Sequence, residues 1–257
     1  PNAEVKGCST FEETFELARD NPEYKIIIPI ENSLAGRVAD IHYLIPKYKL
    51  QIHSEHFQKV THNLLGIKGS KIKDIKTVRS HAQALGQAQK FISTNKLISI
   101  TAADTAGSAK FISENNDKSQ GAIASELAAK IYDLEILKSS VEDESGNTTR
   151  FLILQKNPAH PELSDKKYIT TCIFQLKSVP ASLFKALGSF ATNGVNLCKL
   201  ESFSVKNTFD QVNFYIDIEG HIEEKKLQKS LEELGFHTQT LQVLGVYQAH
   251  QFRLKGK

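Results

Sequence analysis

Apolar and polar positions alternate in a strand-then-helix rhythm over the first 155 residues. Thr10-Phe11-Glu12-Glu13 has the form of a capping box, and Phe11, Phe15 and Ala18 then share one helical face through Arg19. Ile26-Ile27-Ile28-Pro29-Ile30 predicts a buried strand that runs into the polar triplet Glu31-Asn32-Ser33. A helix is predicted from Val38 to Leu44, stopped by Pro46, followed by strands from Leu50 to Phe57 and Leu64 to Ile67. Thr77 to His81 then predicts a strand and Ala82 to Thr94 a helix. Ser99 to Ala102 precedes a helix capped at Asp104-Thr105, and Gly121 to Ala124 precedes one from Ser125 to Tyr132. Such alternation predicts a mostly parallel sheet under helical cover, with polar turns along the edge where open α/β sheets bind ligands. Finally Phe151-Leu152-Ile153-Leu154 follows Gly146-Asn147-Thr148-Thr149-Arg150. A run this short suits a strand covered on both faces, whose polar N-terminal end opens to solvent or a ligand.

Residues 156–167 have linker composition, with Pro158, Pro161, Ser164 and Asp165. Beyond them, over 168–250, the pattern is strand (Tyr168 to Leu176), helix (Ala181 to Thr192), strand (Val195 to Val205), strand (Gln211 to Ile218), helix (Glu223 to Leu234) and strand (Thr238 to Val246). That βαββαβ order is ferredoxin-like, an arrangement that hosts many functions. The basic tail 251–257, ending Arg253-Leu254-Lys255-Gly256-Lys257, is expected to be a solvated end.

Composition narrows the class. A chain of 257 residues exceeds one ordinary core, so more than one domain is expected. The net charge of +3 lacks the basic excess of a nucleic-acid surface. Cys8, Cys172 and Cys198 lie far apart with no Cys-x-x-Cys, which suggests neither a disulfide framework nor a thiolate zinc site and fits a reducing cytoplasm. No apolar run approaches the roughly 20 residues of a membrane helix, so no membrane partner is expected. There is no methionine, position 1 included, so the chain is expected either to begin inside a longer product or to have carried modified methionines that the sequence as written passes over. His53-x-Glu55-His56 with His62 lacks the spacing of a helical His-Glu-x-x-His, so no metal is expected. Gly66-Ile67-Lys68-Gly69 lacks the surroundings of a GxxG nucleic-acid clamp and reads as a turn.

Taken singly, the polar turns are ordinary: Glu31-Asn32-Ser33 a loop and cap, Ser80 and Thr105 helix caps, Thr149-Arg150 a strand start with a surface ion pair. Taken in order, Pro29-Ile30-Glu31-Asn32-Ser33, Ser80-His81-Ala82-Gln83-Ala84-Leu85-Gly86-Gln87 and Asn147-Thr148-Thr149-Arg150-Phe151 resemble the prephenate dehydratases. The downstream unit, with Val179-Pro180-Ala181-Ser182-Leu183 and Asn196-Leu197-Cys198-Lys199-Leu200-Glu201-Ser202, resembles the ACT domain of that family. The resemblance covers essentially the whole chain. Two departures stand out. The family's opening strand and Tyr-x-Gly turn have no counterpart here, and its Glu-Ser-Arg-Pro is Glu201-Ser202-Phe203-Ser204.

The resemblance implies a catalytic region, residues 1–155, of two α/β subdomains with a periplasmic-binding-protein-like fold flanking a cleft. The chain would cross near Gly66 to Ser70 and return near Ser145 to Phe151. It implies loss of carbon dioxide and the ring hydroxyl from prephenate to give phenylpyruvate, in phenylalanine biosynthesis, without a cofactor. Hydroxide is a poor leaving group, so a donor at the departing oxygen lowers the barrier; Thr149 matches the family's threonine for that role. Arg150 is expected to hold the pyruvyl carboxylate. Asn32 and Gln87 join the catalytic set, and Ser33, Ser80, Thr105, Asn147, Thr148 and Phe151 the substrate contacts. Glu31 belongs to the catalytic set too: beside an anionic substrate it pairs with Arg150 or Arg37, or its pKa rises, and the sequence leaves these open. In the ACT domain Ala181, Ser182, Leu183, Asn196, Leu197, Glu201 and Ser202 are expected to bind phenylalanine as feedback effector at the interface of a homodimer or homotetramer, the helix N-terminus receiving its carboxylate. The rivals are an arogenate dehydratase and a non-catalytic sensor of an aromatic metabolite.

Overall fold

The computed structural model describes residues 4–38, 41–204 and 211–254. Helix α1 (Phe11–Asp20) is capped by the Thr10 hydroxyl, which accepts the Glu13 N–H at 3.1 Å. Glu13 reaches back one residue further than a capping box requires, to the Ser9 N–H. Phe15 and Ala18 are buried and Phe11 is exposed. Strand β1 (Ile26–Asn32) buries Ile26, Ile28 and Ile30 but exposes Ile27, so this apolar run is covered on one face, not both. A short β2 (Gly36–Arg37) pairs antiparallel with it.

Helix α2 (Ile41–Tyr48) runs through Pro46 instead of stopping there. Proline removes one N–H, and burial of Ile41, Leu44, Ile45 and Tyr48 outweighs that loss. Ala39 and Asp40, inside the helix predicted from Val38, lie outside the described residues. Strand β3 spans Gln51–Lys59.

The next elements are β4 (Asn63–Gly66), β5 (Thr77–His81), α3 (Ala82–Gln87), α4 (Gln89–Thr94), β6 (Ile98–Ala102), α5 (Thr105–Asn115), β7 (Gln120–Ala124), α6 (Glu126–Ile131) and β8 (Glu135–Lys138). The single helix predicted over 82–94 is broken at Ala88. The five strands lie in the order β6-β5-β7-β4-β8, with β5 parallel to β6 and β7, and β4 antiparallel to β7 and β8. Consecutive strand residues feed opposite cores: Leu64 and Ile123 pack with Leu85, Ala88 and Ile92, while Leu65, Ala122 and Ala124 pack with Ala109, Ile112 and Ala128.

Strand β9 (Thr148–Gln155) completes a second sheet of order β2-β1-β9-β3. The ferredoxin-like module follows as β10 (Tyr168–Leu176), α7 (Ser182–Thr192), β11 (Leu197–Ser204), β12 (Val212–Glu219), α8 (Lys225–His237) and β13 (Thr238–Gln248), with antiparallel order β11-β12-β10-β13. A last turn, α9 (Gln251–Leu254), stands where a solvated tail was expected, and Lys255 to Lys257 of that tail lie outside the described residues.

By contact the chain forms two compact units, Gln58–Thr149 and the remainder on either side of it. The first crossing thus falls between Phe57 and Gln58, not at Gly66 to Ser70. β4 is an interior strand of the five-stranded sheet, so the chain has already crossed before Asn63. The second falls between Thr149 and Arg150. The ferredoxin-like module does not separate from the N-terminal elements, because both faces of its sheet are covered. Cys172, Phe174, Ile216 and Ile218 pack under α7 and α8, whereas Ile169, Ile173, Tyr215, Leu244 and Tyr247 join one core with Ile28, Ile52, Leu152 and Leu154. Among the described residues no helix is long and apolar enough to cross a membrane.

Gly245 marks the closest approach within this shared core. A Cβ there would lie 2.3 Å from the Ile52 carbonyl oxygen, a backbone atom that cannot swing aside. Gly245→Ala is therefore expected to destabilise the fold by about 1–3 kcal/mol, read as a lower urea midpoint at unchanged slope.

Candidate active site

The segment ahead of β9 is held by amides within the unit Gln58–Thr149. Asn147 is buried; its Nδ2 donates to Gln87 Oε1 at 2.9 Å, and its carbonyl accepts the Val60 N–H at 2.8 Å. His62 Nε2 lies 2.8 Å from the same Gln87 oxygen. An amide oxygen only accepts, so His62 carries a proton on Nε2. With its oxygen held twice, Gln87 retains two amide N–H donors that have no partner among the described residues. The Gln87 carbonyl accepts the Asp143 N–H at 2.7 Å, and the Asp143 carboxylate caps the Lys90 N–H, so the end of α3 and the start of α4 are tied to the same loop. Thr148 donates its hydroxyl to the Gly146 carbonyl at 3.1 Å.

Strand alternation then divides the motif. Thr148, Arg150, Leu152 and Leu154 are buried, and Thr149, Phe151 and Ile153 are half-buried on the other face. Thr149 and Arg150 therefore point to opposite sides of β9. Arg150 is only 2 % exposed and is the largest fully buried side chain among the described residues. Its Nε donates to Glu55 at 2.9 Å, Nη1 to Glu31 at 2.9 Å and Asp217 at 2.6 Å, and Nη2 to the Tyr247 hydroxyl at 2.9 Å. Tyr247 in turn donates to Thr171, which donates to Asp217 at 2.7 Å. Arg253, from α9, closes the cluster on Glu55 at 2.8 Å and Asp217 at 3.1 Å, while Phe252 stacks on Phe57 with centroids 4.6 Å apart. Three carboxylates, Glu31, Glu55 and Asp217, face three cations, Arg150, Arg253 and Lys199.

The ionisation of the cluster follows from that balance. Burial pushes the Asp217 and Glu31 carboxyls up, but Arg150 with Arg253 at the first, and Arg150 with Lys199 at the second, outweigh it and hold both below the usual carboxylate range. Burial alone would lower Arg150, and the surrounding acids, Asp217 foremost, raise it well above its ordinary value. Of the alternatives for Glu31, the pairing with Arg150 is the one present; Arg37 instead lies 3.3 Å from Glu201.

The expectation that Arg150 holds a substrate carboxylate is corrected by this geometry: three acids and a phenol already take four of its five N–H donors, deep in the larger unit. Ser80 is corrected likewise. It is fully buried and gives its proton to the Ile123 carbonyl at 2.6 Å, so it ties β5 to β7 rather than greeting a ligand. Asn32 uses its side-chain oxygen to accept the Leu34 and Ala35 N–H groups, and Thr105 opens α5 behind the Asp104 cap. In the module, Ala181 sits at the start of α7 in the left-handed region (φ 60°), with no side-chain cap on that N-terminus. Ser202 accepts Arg37 through its carbonyl at 3.3 Å, and the Asn196 carbonyl accepts the Glu219 N–H at 2.9 Å.

A prephenate dehydratase family model matches residues 1–159, which carry every residue of the amide chain and the Glu31, Glu55 and Arg150 part of the ion cluster. The chain belongs to the prephenate dehydratase family. It is 42 % identical, over 96 % of this chain and 88 % of the relative, to a bifunctional N-acyl-homoserine lactone acylase/prephenate dehydratase of Komagataeibacter europaeus. Arogenate dehydratase 2 of Petunia hybrida is 36 % identical, and this chain covers 66 % of its length. A solved structure of the Arthrobacter aurescens prephenate dehydratase in complex with L-Phe superposes with a TM-score of 0.84 at 26 % identity, over 94 % of this chain and 80 % of that one. The fold is that of the family's two binding-protein-like α/β sheets with a ferredoxin-like module.

Four residues of this family member escaped the sequence reading: Glu55, Asp217, Tyr247 and the paired role of Arg253. A charged or polar residue inside an otherwise apolar strand, as Asp217 is in Phe214-Tyr215-Ile216-Asp217-Ile218, is the available signal, since such a group demands a buried partner.

His42 adds a titrating group beside the cluster. It is 1 % exposed, its ring lies 4.7 Å from that of Tyr215, and its nearest acid, Glu201, is 3.8 Å away. Burial lowers its pKa to about 4. The unfolded chain, with histidine near 6.5, binds the proton more tightly, so this stability is whole above about pH 6.5 and lost toward pH 4. His42→Phe should flatten the fall in urea midpoint between neutral and acid buffer.

Proposed function

We propose that the protein converts prephenate to phenylpyruvate, carbon dioxide and water, as a step in making phenylalanine. The observation that carries this reading is Gln87: a donor amide with its oxygen fixed from two sides and its N–H groups unspent, in the loop system that leads directly to Thr149. In the reaction the bond from the ring to its carboxylate breaks, its electron pair enters the ring, and the hydroxyl leaves with a proton as water. Aromatisation supplies the driving force, so the barrier lies in the departure of hydroxide. Thr149 donates a hydrogen bond to that oxygen. A threonine hydroxyl is too weak an acid to protonate it unaided, so the proton is relayed. Within the unit Gln58–Thr149, Gln87 and Thr105 orient the substrate with neutral groups, and Asn147 positions Gln87. Glu31 stands ionised between its cations and is compatible with an anionic substrate because they neutralise it.

L-phenylalanine is the proposed feedback effector, its carboxylate received by the uncapped start of α7 at Ala181, Ser182 and Leu183, with Asn196, Leu197, Glu201 and Ser202 nearby, in a homodimer or homotetramer. The Arthrobacter relative solved with L-Phe supports this choice. Arogenate is the second substrate reading, favoured by the petunia relative's name. One preparation given prephenate and arogenate in turn separates them: phenylpyruvate at the higher kcat/KM supports the first, phenylalanine the second, and turnover of neither refutes both. Saturating L-phenylalanine should lower the rate; unchanged kinetics would refute the effector role.

A further inference from the structure

Glu31 is held from two directions by parts of the chain far apart in sequence. Arg150, on the neighbouring strand β9, binds Oε1 at 2.9 Å. Lys199, on β11 of the ferredoxin-like module, binds Oε2 through Nζ and reaches Glu201 Oε2 at 2.9 Å with the same ammonium. Lys199 is mostly buried, with a side chain 15 % exposed, so the pairs it makes are little screened. Arg37 of β2 lies 3.3 Å from Glu201, His42 of α2 lies 3.8 Å from it, and Asp217 of β12 and Glu55 of β3 share Arg150. Among the described residues, Lys199 is the side chain of β11 that pairs with the carboxylate of the Pro29-Ile30-Glu31-Asn32 segment.

We propose that Lys199 is a positioning residue for the dehydratase reaction: from the module side it fixes the orientation and charge of Glu31, so the catalytic segment is complete only with β11 in place. The inference rests on the proposed role of Glu31 as a site residue. Three features support it. The contact is made from the strand that also carries Glu201 and Ser202 of the proposed effector site, so a shift of β11 acts on Glu31 without a further link. The two carboxylates bracket one ammonium, which leaves Lys199 little freedom to point elsewhere. Burial pushes the Glu31 carboxyl up, and Arg150 together with Lys199 pulls it below its ordinary value. Without Lys199 one of those two opposing cations is gone, and protonation of Glu31 sets in at higher pH.

The test uses the full chain as wild type, Lys199→Met and Lys199→Arg, measuring kcat and KM across the acid range and the Glu31 carboxyl titration by carbon NMR. Lys199→Met is expected to lower kcat about tenfold with KM within about twofold, because the group acts on a positioned residue and not on bound substrate. The acid limb of kcat and the Glu31 midpoint should both move to higher pH, and Lys199→Arg should restore both. A Lys199→Met protein with wild-type kcat and acid limb overturns the proposal. So does a loss of activity with an unmoved Glu31 midpoint, which would make Lys199 merely structural. If the methionine variant does not fold, Lys199→Gln, which keeps a donor without the charge, gives the same readouts. If the wild type turns over neither prephenate nor arogenate, the proposed function fails on its own. The Glu31 midpoint then still decides: a rise on losing Lys199 supports the charge link, and no rise overturns it.

Discussion

Arg150→Met is expected to destabilise the larger unit strongly, with its main effect on stability and not on substrate binding. The substitution strips one cation from Glu31, Glu55 and Asp217 and leaves the Tyr247 hydroxyl without its donor, with Glu55 and Asp217 wholly buried. Breaking a buried ion pair by removing one partner costs about 3–5 kcal/mol. A domain holds only about 5–15 kcal/mol in total, so such a loss is a large part of the whole. Arg150→Lys should rescue only part, since one ammonium cannot reproduce a planar fork reaching four acceptors. The check is a urea titration of each variant. A methionine variant with wild-type stability and a raised KM would return Arg150 to the role of substrate anchor. The same cluster makes the fold acid-sensitive. Asp217 and Glu31 bind protons more weakly folded than unfolded, so their contribution is full above the ordinary carboxylate range, about pH 4, and is lost as pH falls through their lowered folded values.

Thr149→Ala should behave in the opposite way. Thr149 is half-buried, on the face of β9 away from the ion cluster, so its loss is expected to lower the urea midpoint far less than loss of Arg150 does. The rate should fall by about 10²- to 10⁴-fold, the usual contribution of a positioned donor, with KM little altered because the interaction strengthens as the hydroxyl departs. Thr149→Ser should keep much of the rate. Full activity in a folded Thr149→Ala protein would remove the proposed donor. Neighbouring residues of one strand thus separate into opposite phenotypes, kinetic at 149 and structural at 150.

That separation was legible in the sequence and was missed. A period of two places Thr149 and Arg150 on opposite faces of any strand, so a single polar lip holding both was inconsistent with the strand predicted for them. The apolar run after them looked buried on both faces, whereas the half-exposed Phe151 and Ile153 give an alternation that four aliphatic and aromatic letters cannot display. The elements themselves were mostly readable, because caps such as Thr10, Asp104 and Ser125 announce helix starts by their own chemistry. Pro46 misled, since tertiary burial of α2 overrode a local breaker. The crossing at Phe57 and Gln58 was hidden because the long β3 carries the chain through it without a turn residue to mark it. The joining of the module to the N-terminal sheet was hidden for a deeper reason. Glu55, Arg150, Asp217, Tyr247 and Arg253 are scattered over nearly two hundred positions, and only the folded chain shows that each carboxylate has a cation.

In the proposed reaction decarboxylation is coupled to loss of the ring hydroxyl in one step. The most direct measurement is a progress curve for wild-type protein with prephenate, following phenylpyruvate by its ultraviolet absorbance and carbon dioxide in parallel. One carbon dioxide per phenylpyruvate throughout, with both products formed by Thr149→Ala about 10²- to 10⁴-fold more slowly, is the predicted result. Carbon dioxide released ahead of the aromatic product, or neither product above the uncatalysed rate with prephenate or arogenate, would contradict it.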